Sequence, residues 1–122
     1  MANPNIANAT SILAQKSLVK LSSTSPTTLV NNAASSGTLV VILSVIITNE
    51  DAVNTTHISV NRYSQDDIGG TAYPILNQQD IAPGAPLQLL EHPIFLDEDC
   101  SLGATAEAAN DMVCEVDYLV IS

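Results

Sequence analysis

The sequence predicts an all-β protein, a single antiparallel β-sandwich of about eight strands that is jelly-roll-like and carries an extended N-terminal arm. Three observations lead to this prediction. Apolar residues make up 46% of the 122 residues but aromatic residues only 3%, so the apolar set is dominated by Val, Ile, Leu and Ala, of which the β-branched residues suit pleated surfaces. Apolar and polar residues alternate with period two in one segment after another. Turn signals separate these segments at short intervals.

The first ten residues, "MANPNIANAT", are predicted to form an arm at positions 1–10, and the sandwich is predicted to span residues 11–122. Asn3 precedes Pro4 and is therefore biased away from helical backbone. The segment has neither the charged start nor the apolar stretch of a signal peptide. The longest apolar run in the chain, "LVVILSVII", covers about nine residues against the ~20 that a membrane-spanning helix needs, so no membrane segment is expected.

The strands follow from the alternation and from the turns between them. Pro26 starts a turn before the second strand, and Pro74 predicts an edge strand because proline cannot donate a hydrogen bond to a neighbouring strand. "EDAVN", "SQDDIGG" and "IAPGAP" provide further turns. The predicted strands occupy residues 11–21, 27–31, 38–49, 55–63, 71–76, 87–91, 92–96, 101–108 and 112–122.

The third strand, "TLVVILSVIITN", is apolar on both faces, which is typical of a strand that is covered on both sides. Strict alternation gives one face made of Leu39, Val41, Leu43, Val45 and Ile47 and a second made of Val40, Ile42 and Ile46. One face is expected to line the sandwich. The second, with Val40, Ile42 and Ile46, needs a cover from the chain's own loops or from another subunit. This predicts a homo-oligomer with cyclic symmetry, with a trimer favoured.

The charge of the chain is strongly negative and unevenly placed. Three basic residues against thirteen acidic residues give a net charge of −10, which repels phosphate backbones and argues against nucleic-acid binding. All thirteen acids and Arg62 follow residue 49, so residues 50–122 carry −12 and residues 1–49 carry +2. Either this asymmetry is an accident of surface composition, or the neutral, Ser/Thr/Asn-rich start contacts a partner while the acidic part faces solvent.

Three consecutive acids, Asp97, Glu98 and Asp99, form the most conspicuous polar cluster. They are either a turn between two strands or a weak calcium site. The alternating acids, central glycine and distant glutamate of a calcium-binding loop are missing, and three adjacent residues in a turn point apart, so the pattern favours the turn. The same reasoning applies to Asp66 and Asp67.

No residue pattern indicates catalysis or a cofactor. The chain has no nucleophile elbow, P-loop or dinucleotide-binding glycine motif. Cys100 and Cys114 are in phase with apolar neighbours and are predicted to be reduced core residues, with a disulfide between them as the less favoured alternative. No histidine stands at zinc-ligand spacing from them. His57 and His92 are predicted to lie on the surface. We therefore predict a non-enzymatic protein without metal or cofactor.

Three stretches carry a resemblance to a known family. "MANPNIANATSI", "SSTSPTTLVNNAASSGTLV" and "PIFLDEDCSLGATAEAANDMVCEVDYLVIS" resemble small structural proteins of tailed bacteriophages, notably those that infect cyanobacteria. P-I-x-L-x-E-x-D-S-L and A-S-A-x-N-x-x-x-V-x-V-S-Y recur near the C-terminus of those proteins. In this chain "DEDCS" replaces the turn glycine of that corner with Asp99 or its neighbour. The resemblance implies that the acidic stretch is a structural corner after Leu96.

The resemblance also implies a place in a virion that assembles in the host cytoplasm. For a small acidic all-β chain we expect a head decoration or cement protein that binds the major capsid protein or another virion protein. A neck, tail or fibre component is the alternative. A jelly-roll carbohydrate-binding module is an alternative of another class, although its sugar-stacking surface usually needs more aromatic residues than this chain has. The arm residues expected to contact the partner are Met1, Asn3, Pro4 and Ile6.

Overall fold

The computed structural model describes residues 3–122, which contain nine β-strands and one 3₁₀ turn at Ile6–Asn8. All the predicted strands are present, although the two before the acidic corner are only three residues long. Residues 3–122 contain no helix that is long and apolar enough to cross a membrane. The strands are Ile12–Lys20 (β1), Thr27–Asn32 (β2), Leu39–Asn49 (β3), Thr56–Gln65 (β4), Gly69–Ile81 (β5), Pro86–Gln88 (β6), Ile94–Leu96 (β7), Cys100–Ala106 (β8) and Met112–Ile121 (β9).

The strands form two antiparallel sheets packed face to face. Sheet A has the order β1-β9-β3, and the short strands β6 and β7 pair one after the other with the remaining edge of β3. Sheet B has the order β2-β8-β4-β5. The pairings are therefore nested: β1 with β9, β2 with β8, β3 with β6 and β7, and β4 with β5. This is the arrangement of a jelly roll, so the predicted fold class is confirmed.

The inter-sheet core consists of the inward-facing residues of both sheets, as the period-two alternation requires. Cys114 and Val116 of β9 face β8 residues such as Leu102 and Ala104 across this core, and all four side chains are fully buried. The predicted edge position of the strand that contains Pro74 is also confirmed, because β5 forms one edge of sheet B. Proline lacks a backbone N–H, and on the free side of an edge strand that N–H would have no partner in the sheet.

The two faces of β3 differ from the prediction. The pairing of β3 with β9 shifts register between Ile42 and Ser44, so that one extra residue, Leu43, interrupts the alternation. Val40 and Ile42 have exposures of 2% and 0% and lie in the inter-sheet core. They therefore cannot form the outer face that was predicted for them, because a β-bulge changes the face of every residue beyond it.

A buried asparagine closes each end of the sandwich. At one end, called the corner end because it contains the acidic stretch, Nδ2 of Asn32 donates to the backbone oxygens of Thr38 (3.0 Å) and Leu96 (2.9 Å). At the opposite end, Nδ2 of Asn49 donates to the backbone oxygens of Asn54 (3.0 Å) and Ile81 (2.9 Å). Buried amides of this kind satisfy loop carbonyls that would otherwise be left without a partner.

Candidate interaction surface

Residues 3–11, which we call the strap, cross the outer face of sheet A at the corner end. Nδ2 of Asn3 donates to Oδ1 of Asp97 (2.8 Å), just after β7. The backbone N–H of Thr10 donates to the oxygen of Ser122 (2.7 Å), just after β9. Because β9, β3 and β7 are successive neighbours in sheet A, the strap spans three strands. Its residues form no strand, and the 3₁₀ turn interrupts the extended backbone that was predicted for the arm.

The strap covers a second, smaller apolar group, which we call the outer cluster. Leu39, Val41 and Ile121 project from the outer face of sheet A, yet their exposures are only 5%, 8% and 4%. Ala9 of the strap and Leu119 pack against them. Apolar side chains on the solvent side of a sheet require such a cover, since exposing them costs about 25 cal/mol per Å². The expectation that β3 has a second covered face is therefore met by Leu39 and Val41.

One exposed residue of the strap is a large apolar one. Ile6 is 52% exposed, and the outer face of sheet A at the same end carries two other half-exposed apolar residues, Ile12 at 57% and Phe95 at 50%. Ile12 pairs with Ile121 at the start of β1, and Phe95 pairs with Val41 from β7, so both flank the outer cluster. We call Ile6, Ile12 and Phe95 the strap surface. The sequence did not single out Ile12 or Phe95, because the alternation within a strand does not indicate which of its outward side chains another segment covers.

The predicted partner-binding residues differ in how accessible they are to a partner. Asn3 bonds the chain's own Asp97, and Pro4 is half-buried against the sandwich. Ile6 remains accessible to a partner. Met1 lies outside the described residues. Of the residues predicted for an oligomer interface, Ile46 is half-buried on the outer side of β3, whereas its two predicted companions lie in the inter-sheet core.

The outer face of sheet A is close to electrically neutral beyond the strap. Lys16 lies 3.5 Å from Glu115 and Lys20 lies 2.8 Å from Glu50. These pairs are exposed, so each contributes less than about 1 kcal/mol of stability, but they remove the net charge locally. Many of the other acids lie in the loops at the two ends of the sandwich.

The acidic stretch forms the turn between β7 and β8. The three carboxylates accept hydrogen bonds from three separate segments: Asp97 from the strap, Glu98 from the backbone N–H of Gly37 (2.6 Å), and Asp99 from the backbone N–H of Asp66 (3.2 Å). Asp99 has a φ of 63°, the left-handed conformation that favours glycine. Among residues 3–122, no group of His, Cys, Asp and Glu side chains is arranged to hold a metal ion. The carboxylates instead fix three loops at the corner end.

The two cysteines are free and lie in different environments. Burial raises the pKa of the Cys114 thiol to about 12. The pKa of the half-buried Cys100 is also raised, first by burial and then by the negative charge of Asp97. Thiols with raised pKa react slowly, because the thiolate is the nucleophilic form.

The exposed aromatic rings do not share a surface. Tyr73 lies on the edge of sheet B, whereas Phe95 lies on the outer face of sheet A. Residues 3–122 enclose no detectable pocket. His57 is near the surface, with Nε2 3.7 Å from a carboxylate oxygen of Glu107.

Comparison with known proteins gives a structural similarity alone. The sequence matches no model of a known protein family and no curated protein. A solved structure described by the words "Bacillus endospore appendages form a novel family of disulfide-linked pili" superposes with a TM-score of 0.54 at 12% identity. The match covers 100% of this chain and 96% of that chain. At this identity the similarity concerns the fold alone.

Proposed function

We propose that this chain is a non-enzymatic structural protein of a bacteriophage virion, and that it decorates the outer surface of the capsid lattice. The resemblance of its sequence to small phage structural proteins suggests the virion. Its jelly-roll fold supports this role, since viral capsid proteins use the same architecture. The protein's task in this proposal is to bind and stabilise the head, with the major capsid protein as the partner.

The observation that carries the proposal is the strap surface. Ile6, Ile12 and Phe95 present three half-exposed apolar side chains on one face of a strongly acidic molecule. Apolar residues with a polar surround are the usual centre of a protein interface. Contact with a capsid subunit through this surface buries these side chains, while the acidic loops stay in solvent and keep assembled particles apart.

The direct test is binding to phage heads assembled without this protein. We expect wild-type protein to sediment with the heads and Ile6→Ser to bind several-fold more weakly. The substitution removes an outward side chain and leaves the inner contacts of the strap intact. The matched control is Val53→Ser, because Val53 is 80% exposed at the opposite end of the sandwich.

Cryo-EM of the decorated heads provides the second readout. Density on the capsid lattice, with the strap surface against the shell, is the expected result. Undiminished binding by Ile6→Ser, or failure of the wild type to bind heads, overturns the proposal. Location of the protein in the neck, tail or fibre supports the alternative virion position.

A fibre subunit is the second candidate, and the structural similarity to a pilus-forming protein favours it. That protein's pili are disulfide-linked by description, whereas Cys114 of this chain is buried and its thiol pKa is raised to about 12. Both cysteines are free and Cys100 is only half-buried, so the fibre candidate is proposed here with non-covalent contacts between subunits. Negative-stain microscopy of the concentrated protein distinguishes the candidates, because fibres form without any capsid only in the second case.

A further inference from the structure

We infer that β1 of one copy pairs antiparallel with β1 of a second copy, so that sheet A continues across a two-fold axis at Gln15. β1 is the end strand of sheet A, and its nine residues pair with β9 without any register shift. A regular edge strand of this kind offers its unpaired backbone groups to another strand. The pairing involves no capsid subunit, so it does not rest on the proposed function.

Among the edge strands in residues 3–122, β1 is the long and regular one. β5, at one edge of sheet B, contains Pro74 and shifts register against β4 at three places. β2, at the other edge, has six residues and one register shift. β6 and β7 have three residues each. Prolines, bulges and short strands protect an edge from pairing, so β1 is the edge that stays open to another strand.

The backbone groups on the free side of β1 belong to alternate residues. Ser11 exchanges two hydrogen bonds with Ser122, of 3.1 and 2.9 Å, and such bonded pairs alternate with non-bonded pairs along an antiparallel ladder. The residues whose N–H and C=O groups point to the free side are therefore Ile12, Ala14, Lys16 and Leu18. An antiparallel copy of β1 satisfies all of these groups, with on the order of eight main-chain hydrogen bonds.

The side chains of β1 complement a second copy of the same strand in one register. With Gln15 on the axis, Ile12 of each copy lies opposite Leu18 of the other on the outer face, and these side chains are 57% and 66% exposed in the single copy. Lys16 then lies opposite Ala14. Opposed apolar side chains stabilise a sheet, whereas like charges directly opposite destabilise it. The next register places Lys16 opposite Lys16 and is therefore disfavoured.

The charges of β1 do not oppose this pairing. Lys16 lies 3.5 Å from Glu115 and Lys20 lies 2.8 Å from Glu50 of the same chain, so the two edges meet with little net charge. Each whole copy carries −10, so the dimer should strengthen as salt screens the repulsion between copies. The axis is perpendicular to sheet A, and the outer faces of both copies therefore point the same way.

Sedimentation velocity over a range of protein concentrations tests the dimer. We expect the wild type to change from monomer to dimer as its concentration rises. Ala14→Pro removes an N–H on the free side and no bond to β9, so it should weaken the dimer several-fold while circular dichroism shows an unchanged fold. Leu18→Lys should weaken it as well, because it places a charge opposite Ile12. The matched control is Leu43→Lys, which adds the same charge at the bulge of β3 and should leave the dimer unchanged.

Disulfide cross-linking tests the register. Gln15→Cys is prepared with Cys100→Ala, so that the buried Cys114 is the only other thiol. It should link two copies directly across the axis, where opposite Cα atoms are about 4.5 Å apart. Leu13→Cys is the control, because position 13 is also exposed but lies about 13 Å along the strands from its counterpart in this register. We expect Gln15→Cys to form covalent dimers several-fold faster than the control.

A wild type that stays monomeric at every concentration overturns the proposal, and so does a dimer that neither Ala14→Pro nor Leu18→Lys weakens. Linking of Leu13→Cys as fast as Gln15→Cys overturns the register. A strand of another protein as the occupant of β1 would leave the isolated chain monomeric, which is the first of these outcomes. All the measurements are made without capsids, so the proposed function keeps its own test.

Discussion

The inter-sheet core and the outer cluster are built on the same strands and differ in what covers them. β3 and β9 contribute buried residues to both, from their opposite faces. The inter-sheet core contains seventeen buried residues between two sheets, whereas the outer cluster contains three beneath a strap. The first can be exposed only by separating the sheets, while the second is exposed by moving a few residues. Equal burial therefore does not imply equal resistance to opening.

Removal of a large side chain from the inter-sheet core is expected to have the largest effect. Ile42 is fully buried there, and Ile42→Ala should lower the free energy of unfolding by about 3 kcal/mol, because it removes apolar contacts and leaves a cavity between two sheets that cannot collapse. Urea denaturation followed by circular dichroism measures this loss. A loss below about 1 kcal/mol would mean that the core is loosely packed and that the two regions do not differ.

Two adjacent valines provide a matched comparison of the two regions. Val40 lies in the inter-sheet core and Val41 in the outer cluster. We expect Val40→Ala to cost about 2 kcal/mol and Val41→Ala about 1 kcal/mol, since the strap can settle onto the smaller residue. The same denaturation experiment measures both. Equal costs, or a larger cost for Val41→Ala, would show that the strap is as rigid a cover as sheet B.

The inter-sheet core contains a titratable group, Cys114, and this makes its stability depend on alkaline pH. The pKa of this thiol is raised from its ordinary 9.0 to about 12 by burial. Between these values the unfolded state loses the proton and the folded state keeps it, so stability is complete below about pH 9 and falls as pH rises towards 12. We expect Cys114→Ala to reduce stability by about 1 kcal/mol at neutral pH and to flatten the alkaline decline.

Thermal melts of the wild type and Cys114→Ala at several alkaline pH values measure this difference. Parallel declines in the two proteins would contradict it. Because both cysteines are free, a reductant should leave the melting temperature of the wild type unchanged.

Hydrogen exchange is expected to separate the two regions without any change in global stability. The backbone N–H of Thr10 is bonded to Ser122 at the end of the strap, and it should exchange through local opening. The backbone N–H groups of β3 within sheet A should exchange only through global unfolding. Val41→Ala weakens both the seat of the strap and the global stability, so it should accelerate exchange of both groups, whereas Val40→Ala should accelerate the β3 groups and leave Thr10 unchanged. Exchange of Thr10 at the global rate would show that the strap unfolds together with the sandwich.

The strands and their edges could be predicted from the sequence because period-two alternation and turn residues determine them locally. The bulge at Leu43 could not, since a run such as "VVILSVII" is apolar in either register. The one signal is Ser44. Strict alternation places this polar residue on the same face as Val40 and Ile42, whereas the bulge turns it away from the core.

Contacts between distant segments account for the rest of what the sequence did not predict. Tyr63 occupies an outward position of β4, yet it is buried, because the turn before β5 brings Ile68 over the same face and Gly103 allows the close approach. A Cβ at position 103 would lie 2.8 Å from Cγ2 of Ile68 and 3.0 Å from the ring of Tyr63. The outer cluster beneath the strap could not be predicted for the same reason, because Leu39, Val41 and Ile121 are far from the strap in sequence.

The nested pairing of the strands also determines when this protein can fold. β9, the last strand of the chain, lies between β1 and β3 in sheet A and pairs with both along most of its length. Sheet A therefore cannot form on the ribosome until β9 has emerged, and until then β1 and β3 expose unpaired apolar edges. Folding of the sandwich is expected to wait for the synthesis of β9 and to be slow, as in other proteins dominated by pairings between distant segments. Chaperone binding to the nascent chain should persist until β9 has emerged from the ribosome.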